Sequence, residues 1–154
     1  MNERGDNREA PVLLVAYDGS PMSEAQLHLA CRSANDIGGI VRLLYVIEVS
    51  HYIPLDAPLT EQQQREADEI MDRGEEIVRG YGVRFQSEID VTRSGSVGEA
   101  IIADARESGA QVIFIGLRDR NRRGTNLVLS ATLRHILQHT QCPVQIGYLP
   151  TRTS

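Results

Sequence analysis

Short apolar runs alternate with longer amphipathic stretches along nearly the whole chain, and this alternation limits the folds open to it. Pro11-Val12-Leu13-Leu14-Val15-Ala16-Tyr17 is brief, branched and apolar at successive positions, as a strand buried on both faces requires. Asp18-Gly19-Ser20-Pro21 closes it, with Ser20 placed to cap a helix and Pro21 at the first helical position. Leu27, Ala30, Cys31, Ala34 and Ile37 then recur at helical spacing until Gly38-Gly39. A second buried strand is expected at 40–48, followed by a loop at 49–59 that holds two prolines. Thr60-x-x-Gln63 has the pattern of a capping box, and Ala67, Ile70, Met71, Gly74, Ile77, Val78 and Tyr81 form the stripe of a long helix. Residues 83–92 alternate apolar and polar, as in a strand near an edge with one wetter face. Ser96-x-x-Glu99 reads as a second capping box, opening a helix that ends at Gly109. A fourth strand is expected at 111–116. Next come a basic loop at 118–124, a helix carrying Leu129, Leu133, Ile136 and Leu137, and a fifth strand at 143–149.

Strand and helix thus alternate four times and end on a strand. Repeats of ~30 residues imply parallel pairing through right-handed crossovers. The expected fold is α/β, an open doubly wound five-stranded parallel sheet in the order 3-2-1-4-5 with helices on both faces. In that order the chain reverses direction between strands 1 and 4, where diverging loops leave a ligand crevice. The loops concerned are Asp18-Gly19-Ser20 and Gly116–Gly124.

Composition removes several functions. The 154 residues carry a net charge of -5, which argues against a protein living on electrostatic contact with nucleic acid. All 16 bases are Arg, so a lysine-bearing phosphate loop and lysine Schiff-base chemistry are both excluded. Two cysteines are too few for a disulfide scaffold. No apolar run reaches the ~18 residues of a membrane span. Residues 1–10 are polar, lack the apolar core of a signal peptide, and read as a flexible tail before one domain at 11–150. The chain is expected to be cytoplasmic.

The crevice residues admit two readings each. Asp18 is placed to accept from a ribose hydroxyl or adenine amine, or to help hold Mg²⁺; equally, it is a turn aspartate capping its own backbone. Gly116 either lets backbone approach a ligand or makes a tight turn. Arg118, Arg120, Arg122 and Arg123 either fork onto phosphate oxygens or solvate a loop. His135 and His139 have the i,i+4 spacing of half a metal site, but no cysteine or carboxylate cluster completes it. They read as surface histidines, as does His28. Cys31 and Cys142 have no paired base and read as structural. A triad from Asp18, Ser20 and His28 lacks the Gly-x-Ser-x-Gly elbow it would need.

Across residues 11–149 the chain resembles the universal stress protein family. The matching pieces are Val15-Ala16-Tyr17-Asp18-Gly19-Ser20, Leu44-Tyr45-Val46-Ile47, and Gly95-Ser96-Val97-Gly98-Glu99-Ala100-Ile101. Two more follow: Val112-Ile113-Phe114-Ile115-Gly116-Leu117-Arg118, and Ile136-Leu137-Gln138-His139-Thr140-Gln141-Cys142-Pro143-Val144. Many members bind ATP, with phosphates against the start of the fourth helix. The resemblance implies that Ala16, Asp18 and Val46 border adenine and ribose, and that Ile115, Gly116 and Arg118 follow the strand-4 loop. The phosphate half of the pattern departs from the family. Its second glycine is Asp119, its Gly-Ser pair is Ser130-Ala131, and the gap between them is ten residues rather than nine. A Cβ at 130 narrows the approach of backbone to phosphate, Ala131 removes a hydroxyl, and Asp119 sets negative charge beside phosphate. Arg118 or Arg120 would offset part of that charge.

The resulting expectation is a cytoplasmic stress-response or regulatory module with a modified adenine-nucleotide site. Its ligand is ATP or AMP, with Mg²⁺ if ATP, or the site is lost and takes none. The alternatives are an ATP- or AMP-binding switch acting on a regulatory protein partner, and a nucleotide-using transferase or hydrolase. No convincing general base, nucleophile or metal cluster surrounds the crevice, so no enzyme is expected beyond a weak ATPase. Strand 5 is an uncharged edge in this order, and such an edge invites pairing. A homodimer is expected through Val144, Ile146 and Tyr148, with no nucleic-acid or membrane partner.

Overall fold

The computed structural model describes residues 10–117 and 130–148. Within them the chain forms β1 (Val12–Ala16), α1 (Pro21–Ile37), β2 (Ile40–Val49), α2 (Glu61–Tyr81) and β3 (Phe85–Arg93). It continues through α3 (Val97–Ser108), β4 (Ala110–Gly116), α4 (Ala131–His139) and β5 (Val144–Gly147). The sheet runs β3-β2-β1-β4-β5, and every pairing is parallel. This is the doubly wound arrangement that the strand–helix alternation implies.

The pleat of β1 separates two cores. Leu13 and Val15, with Tyr17 just beyond, pack with Leu27 and Cys31 of α1 and with Met71 and Val78 of α2. Leu14 faces the other way, into Ile101 of α3 and Leu133 and Ile136 of α4. Each large aliphatic side chain withdrawn from water here contributes about 1.5–3 kcal/mol before ordering costs. One tight contact sets the seat of α2. A Cβ on Gly74 would stand 2.8 Å from Tyr17 Cε1, so only glycine lets the helix lie directly on that ring.

Helix ends follow local chemistry with one exception. Ser20 caps α1 by accepting from the Ser23 N–H, and Pro21 fills the first helical position. Thr60 and Gln63 form a reciprocal capping box at α2. The box expected at Ser96 and Glu99 does not form. The Ser96 N–H is tied to the Arg93 carbonyl in a tight turn at 2.9 Å, which leaves Ser96 at φ −110 and ψ 17 rather than extended. A cap side chain needs the extended form to swing back over the first amides. Two stripe residues are also exposed. Ile37, 54% exposed, sits at the last position of α1, and Leu137, 42% exposed, lies on the nine-residue helix α4. The third strand starts at Phe85 rather than at Val83, though Val83 is still buried.

One ion pair joins α3 to the sheet. Arg42 of β2 donates through Nε and Nη2 to both carboxylate oxygens of Asp104, at 2.8 and 2.7 Å. Both side chains are largely buried, and these hydrogen bonds push the Arg42 pKa above its ordinary value despite burial. Removing Asp104 leaves the largely buried Arg42 only the Gln86 side chain at 3.0 Å and the exposed Glu88 carboxylate at 3.9 Å. Asp104→Ala should therefore cost about 3 kcal/mol, a fall of roughly 10 °C in melting temperature. The double replacement Arg42→Met with Asp104→Leu should recover most of it. Calorimetric melting of the three proteins checks both outcomes.

Candidate functional site

The crevice opens at the carboxyl ends of the strands, between β1 and β4, where the sheet order reverses. It encloses about 500 Å³. Strand ends supply its floor: Ala16 and Asp18 from β1 and its loop, Val46 from β2, and Ile115 and Gly116 from β4. Each crossover helix begins at this end of the sheet, so the first two turns supply the walls. These bring Met22 from α1, Gln63 and Glu66 from α2, Val97 from α3, and Ser130 and Thr132 from α4.

Of the positions that the sequence assigned to a ligand, Ala16, Asp18, Val46, Ile115, Gly116 and Ser130 meet in this one crevice. Ala131 is the exception. It is the first residue of α4, its side chain is exposed, and Thr132 lines the crevice in its stead. Arg118 and Arg120, with Asp119, Arg122, Arg123 and Leu129, lie outside the described residues. Sequence reasoning missed Met22, Glu48, Gln63, Glu66 and Thr132. Their common signal is position. Apart from Glu48, at the end of β2, each lies in the first two turns of a helix that leaves a strand's carboxyl end.

The turn at the end of β1 uses up its own polar groups. Asp18 Oδ1 accepts the Ser20 N–H at 2.9 Å, so the turn-aspartate reading holds whatever else Asp18 does. Gly19, at φ 79, supplies the left-handed residue between them. The Ser23 N–H goes to Ser20 Oγ at 3.2 Å, and the Asp18 N–H to Ser23 Oγ at 3.3 Å. Across the crevice Ser130 Oγ accepts the Leu133 N–H at 3.1 Å and caps α4.

Asp18, Glu48 and Glu66 give the described lining its charge, and no described arginine, histidine or cysteine lines it. Burial raises the Tyr45 phenol above its ordinary range, and the nearby negative charges of Asp18 and Glu66 add to that. Glu48 is partly engaged, its Oε2 accepting the Gly95 N–H at 3.2 Å. Arg93 holds the 49–59 segment by donating from Nη1 to the carbonyls of Ser50, His51 and Ile53. The other candidates from the sequence lie elsewhere. His28 Nδ1 is 2.6 Å from the Tyr81 hydroxyl, and His135 stacks on His139. Among the described residues, no group of three or more His, Cys, Asp or Glu is placed to hold a metal ion. Burial pushes the Cys31 thiol up to about 11, so it is protonated and inert near neutral pH.

A family model described as the universal stress protein family matches residues 11–146. A universal stress protein of Methanocaldococcus jannaschii, MJ0531, is 23% identical over 146 residues, covering 91% of this chain and 83% of its own length. The structure is similar to that of the universal stress protein from Archaeoglobus fulgidus in complex with dAMP, with a TM-score of 0.67 and 20% identity over 90% of this chain and 97% of that one. It is also similar to a universal stress protein in complex with cAMP, with a TM-score of 0.69 and 13% identity over 92% of this chain and 98% of that one. Among the described residues no helix is long and apolar enough to cross a membrane.

The cap on α4 sets one side of the crevice and can be tested without a ligand. Ser130→Ala leaves the Leu133 amide without its partner and should cost about 1 kcal/mol, or roughly 2–4 °C in melting temperature. Ser130→Asp, which keeps an acceptor at the cap, should restore the wild-type value. Circular dichroism melts of the two variants decide it.

Proposed function

This chain belongs to the universal stress protein family, and from that premise we propose that it is a regulatory module of the stress response whose crevice binds an adenine nucleotide. The observation that carries the reading is the convergence of Ala16, Asp18, Val46, Ile115 and Gly116 on one crevice at the sheet's switch point. Asp18 supplies an acceptor for ribose or adenine donors, and the apolar ends of β1, β2 and β4 supply a surface for the base. The Leu133 amide at the start of α4 is held by Ser130 Oγ, and the Ala131 and Thr132 amides before it, which have no acceptor within their own helix, offer donors to a phosphate. Binding rather than turnover fits this lining. The hydroxyls of Ser20 and Ser130 cap helices, that of Ser23 donates to the Ser20 carbonyl, and the described lining includes no histidine or cysteine to act as base or nucleophile.

AMP at 100 times its dissociation constant should add about 2.7 kcal/mol, a rise of roughly 5–10 °C in melting temperature. Asp18→Asn keeps an acceptor for the Ser20 N–H but removes the charge, so the fold should survive while the AMP response falls by most of its size. Scanning calorimetry with and without nucleotide reads both. An unchanged response in Asp18→Asn would remove Asp18 from the site.

A second reading concerns assembly. β5 is a sheet edge, and Ile146 and Tyr148 are 37% and 41% exposed. An apolar edge left open templates pairing with another chain. A two-fold partner laying its own β5 antiparallel across Val144, Ile146 and Tyr148 closes it. Light scattering at micromolar concentration should give twice the 17.1 kDa chain mass. Ile146→Lys should shift the population to monomer, and a wild-type monomer would dismiss this interface.

A further inference from the structure

The capping box at the start of α2 fixes a side chain of the crevice as well as a helix end. Gln63 Oε1 accepts the Thr60 N–H at 3.0 Å, while the Gln63 N–H goes to Thr60 Oγ1 at 3.1 Å. With its oxygen committed, the carboxamide turns its Nε2 the other way, and that group only donates. Among the described residues nothing accepts from it. Because Gln63 lines the crevice, the box leaves a positioned donor on the α2 wall.

Glu66 lines the same wall. Residues three apart on a helix are surface neighbours, so its carboxylate stands beside the Gln63 carboxamide. Gln62 Nε2 donates to Glu66 Oε1 at 3.2 Å, which restrains the carboxylate and leaves it further acceptor sites. The charge of Glu66, with that of Asp18, acts on the Tyr45 phenol of β2, so Glu66 belongs to the neighbourhood of Asp18. The other acid on this side, Glu48, turns its Oε2 to the Gly95 N–H. The α2 wall thus presents one donor beside one acceptor.

In the nucleotide reading the phosphate meets the Ala131 and Thr132 amides of α4. α4 lies over one face of the sheet and follows β4; α2 lies over the other face and follows β2, on the far side of β1. With phosphate at α4 and ribose at Asp18, after the intervening β1, the base extends toward α2. Adenine carries an amine donor beside a ring-nitrogen acceptor, the complement of what this wall presents.

We propose that Gln63 and Glu66 are a base-reading pair, Glu66 accepting from the exocyclic amine of adenine and Gln63 Nε2 donating to the ring nitrogen beside it. The pair presupposes the adenine-nucleotide reading of the crevice and adds to it the side chains that recognise the base.

Titration calorimetry of the full chain with AMP and with analogues that each lack one atom or group of the base provides the test. Glu66→Ala should weaken AMP about fivefold or more. Purine riboside 5′-monophosphate, which has hydrogen in place of the amine, should bind Glu66→Ala and wild type within about twofold of each other. Gln63→Glu keeps the capping-box pattern and removes only the donor. Its melting temperature without ligand should stay within about 2 °C of wild type, while AMP again weakens about fivefold or more. Of 1-deaza-AMP and 7-deaza-AMP, the one lacking the contacted nitrogen should bind Gln63→Glu and wild type within about twofold of each other. AMP bound by both variants as by wild type overturns the pair and leaves nucleotide binding in place. So does Glu66→Ala weakening purine riboside monophosphate as much as AMP, or Gln63→Glu weakening both deaza analogues as much as AMP. Wild-type protein that binds neither AMP nor any of these analogues overturns the nucleotide reading and the pair together.

Discussion

Everything in this molecule depends on β1 being buried on both faces. Leu13 and Val15 need cover on one side of the sheet and Leu14 on the other, so a single layer of helices cannot suffice. The chain answers by winding α1 and α2 over one face and α3 and α4 over the other. Right-handed crossovers allow this only if the winding direction reverses beside β1. The crevice is the geometric residue of that reversal. It exists because β2 and β4 both flank β1 while the connections leaving them diverge.

Local chemistry then gives the crevice its character. The β1–α1 turn satisfies its amides and hydroxyls internally, through Asp18, Ser20 and Ser23. That economy makes a well-defined floor. Carboxylates from β1, β2 and α2 leave an acceptor-rich lining, and the cap at Ser130 orients the start of α4. Met22 over Gly116 belongs to the same logic, since a glycine can be kept for a protein side chain as readily as for a ligand. The Arg42–Asp104 pair holds α3, and with it Val97 and Ile101, against the sheet on the opposite wall.

Much of the fold was legible because its signals are local. Branched apolar runs, Ser20-Pro21, Thr60-x-x-Gln63 and the glycines at 38 and 109 each report on the few residues around them. The strand-end residues of the crevice were legible for a related reason, since topology alone puts them together. The misreadings arose where distant context overrode a local pattern. Ser96 carries capping-box chemistry, but the turn that brings the chain out of β3 denies it the needed backbone angle. Leu137 has the spacing of a core residue, but it is exposed while Leu133 and Ile136 of the same short helix are buried.

By itself, then, the sequence determined the alternation of elements, the order of the sheet and the place of the crevice, because burial periodicity and crossover handedness leave few other solutions. Only the tertiary structure decided what the crevice walls are made of. Met22, Glu48, Glu66 and Thr132 come from segments far apart in the chain, and no spacing rule reports on which side chains the first turns of separate helices turn inward. The pairing of Arg42 with Asp104, 62 residues apart, was likewise hidden. A charge on a strand and a charge on a helix become partners only once packing sets them face to face.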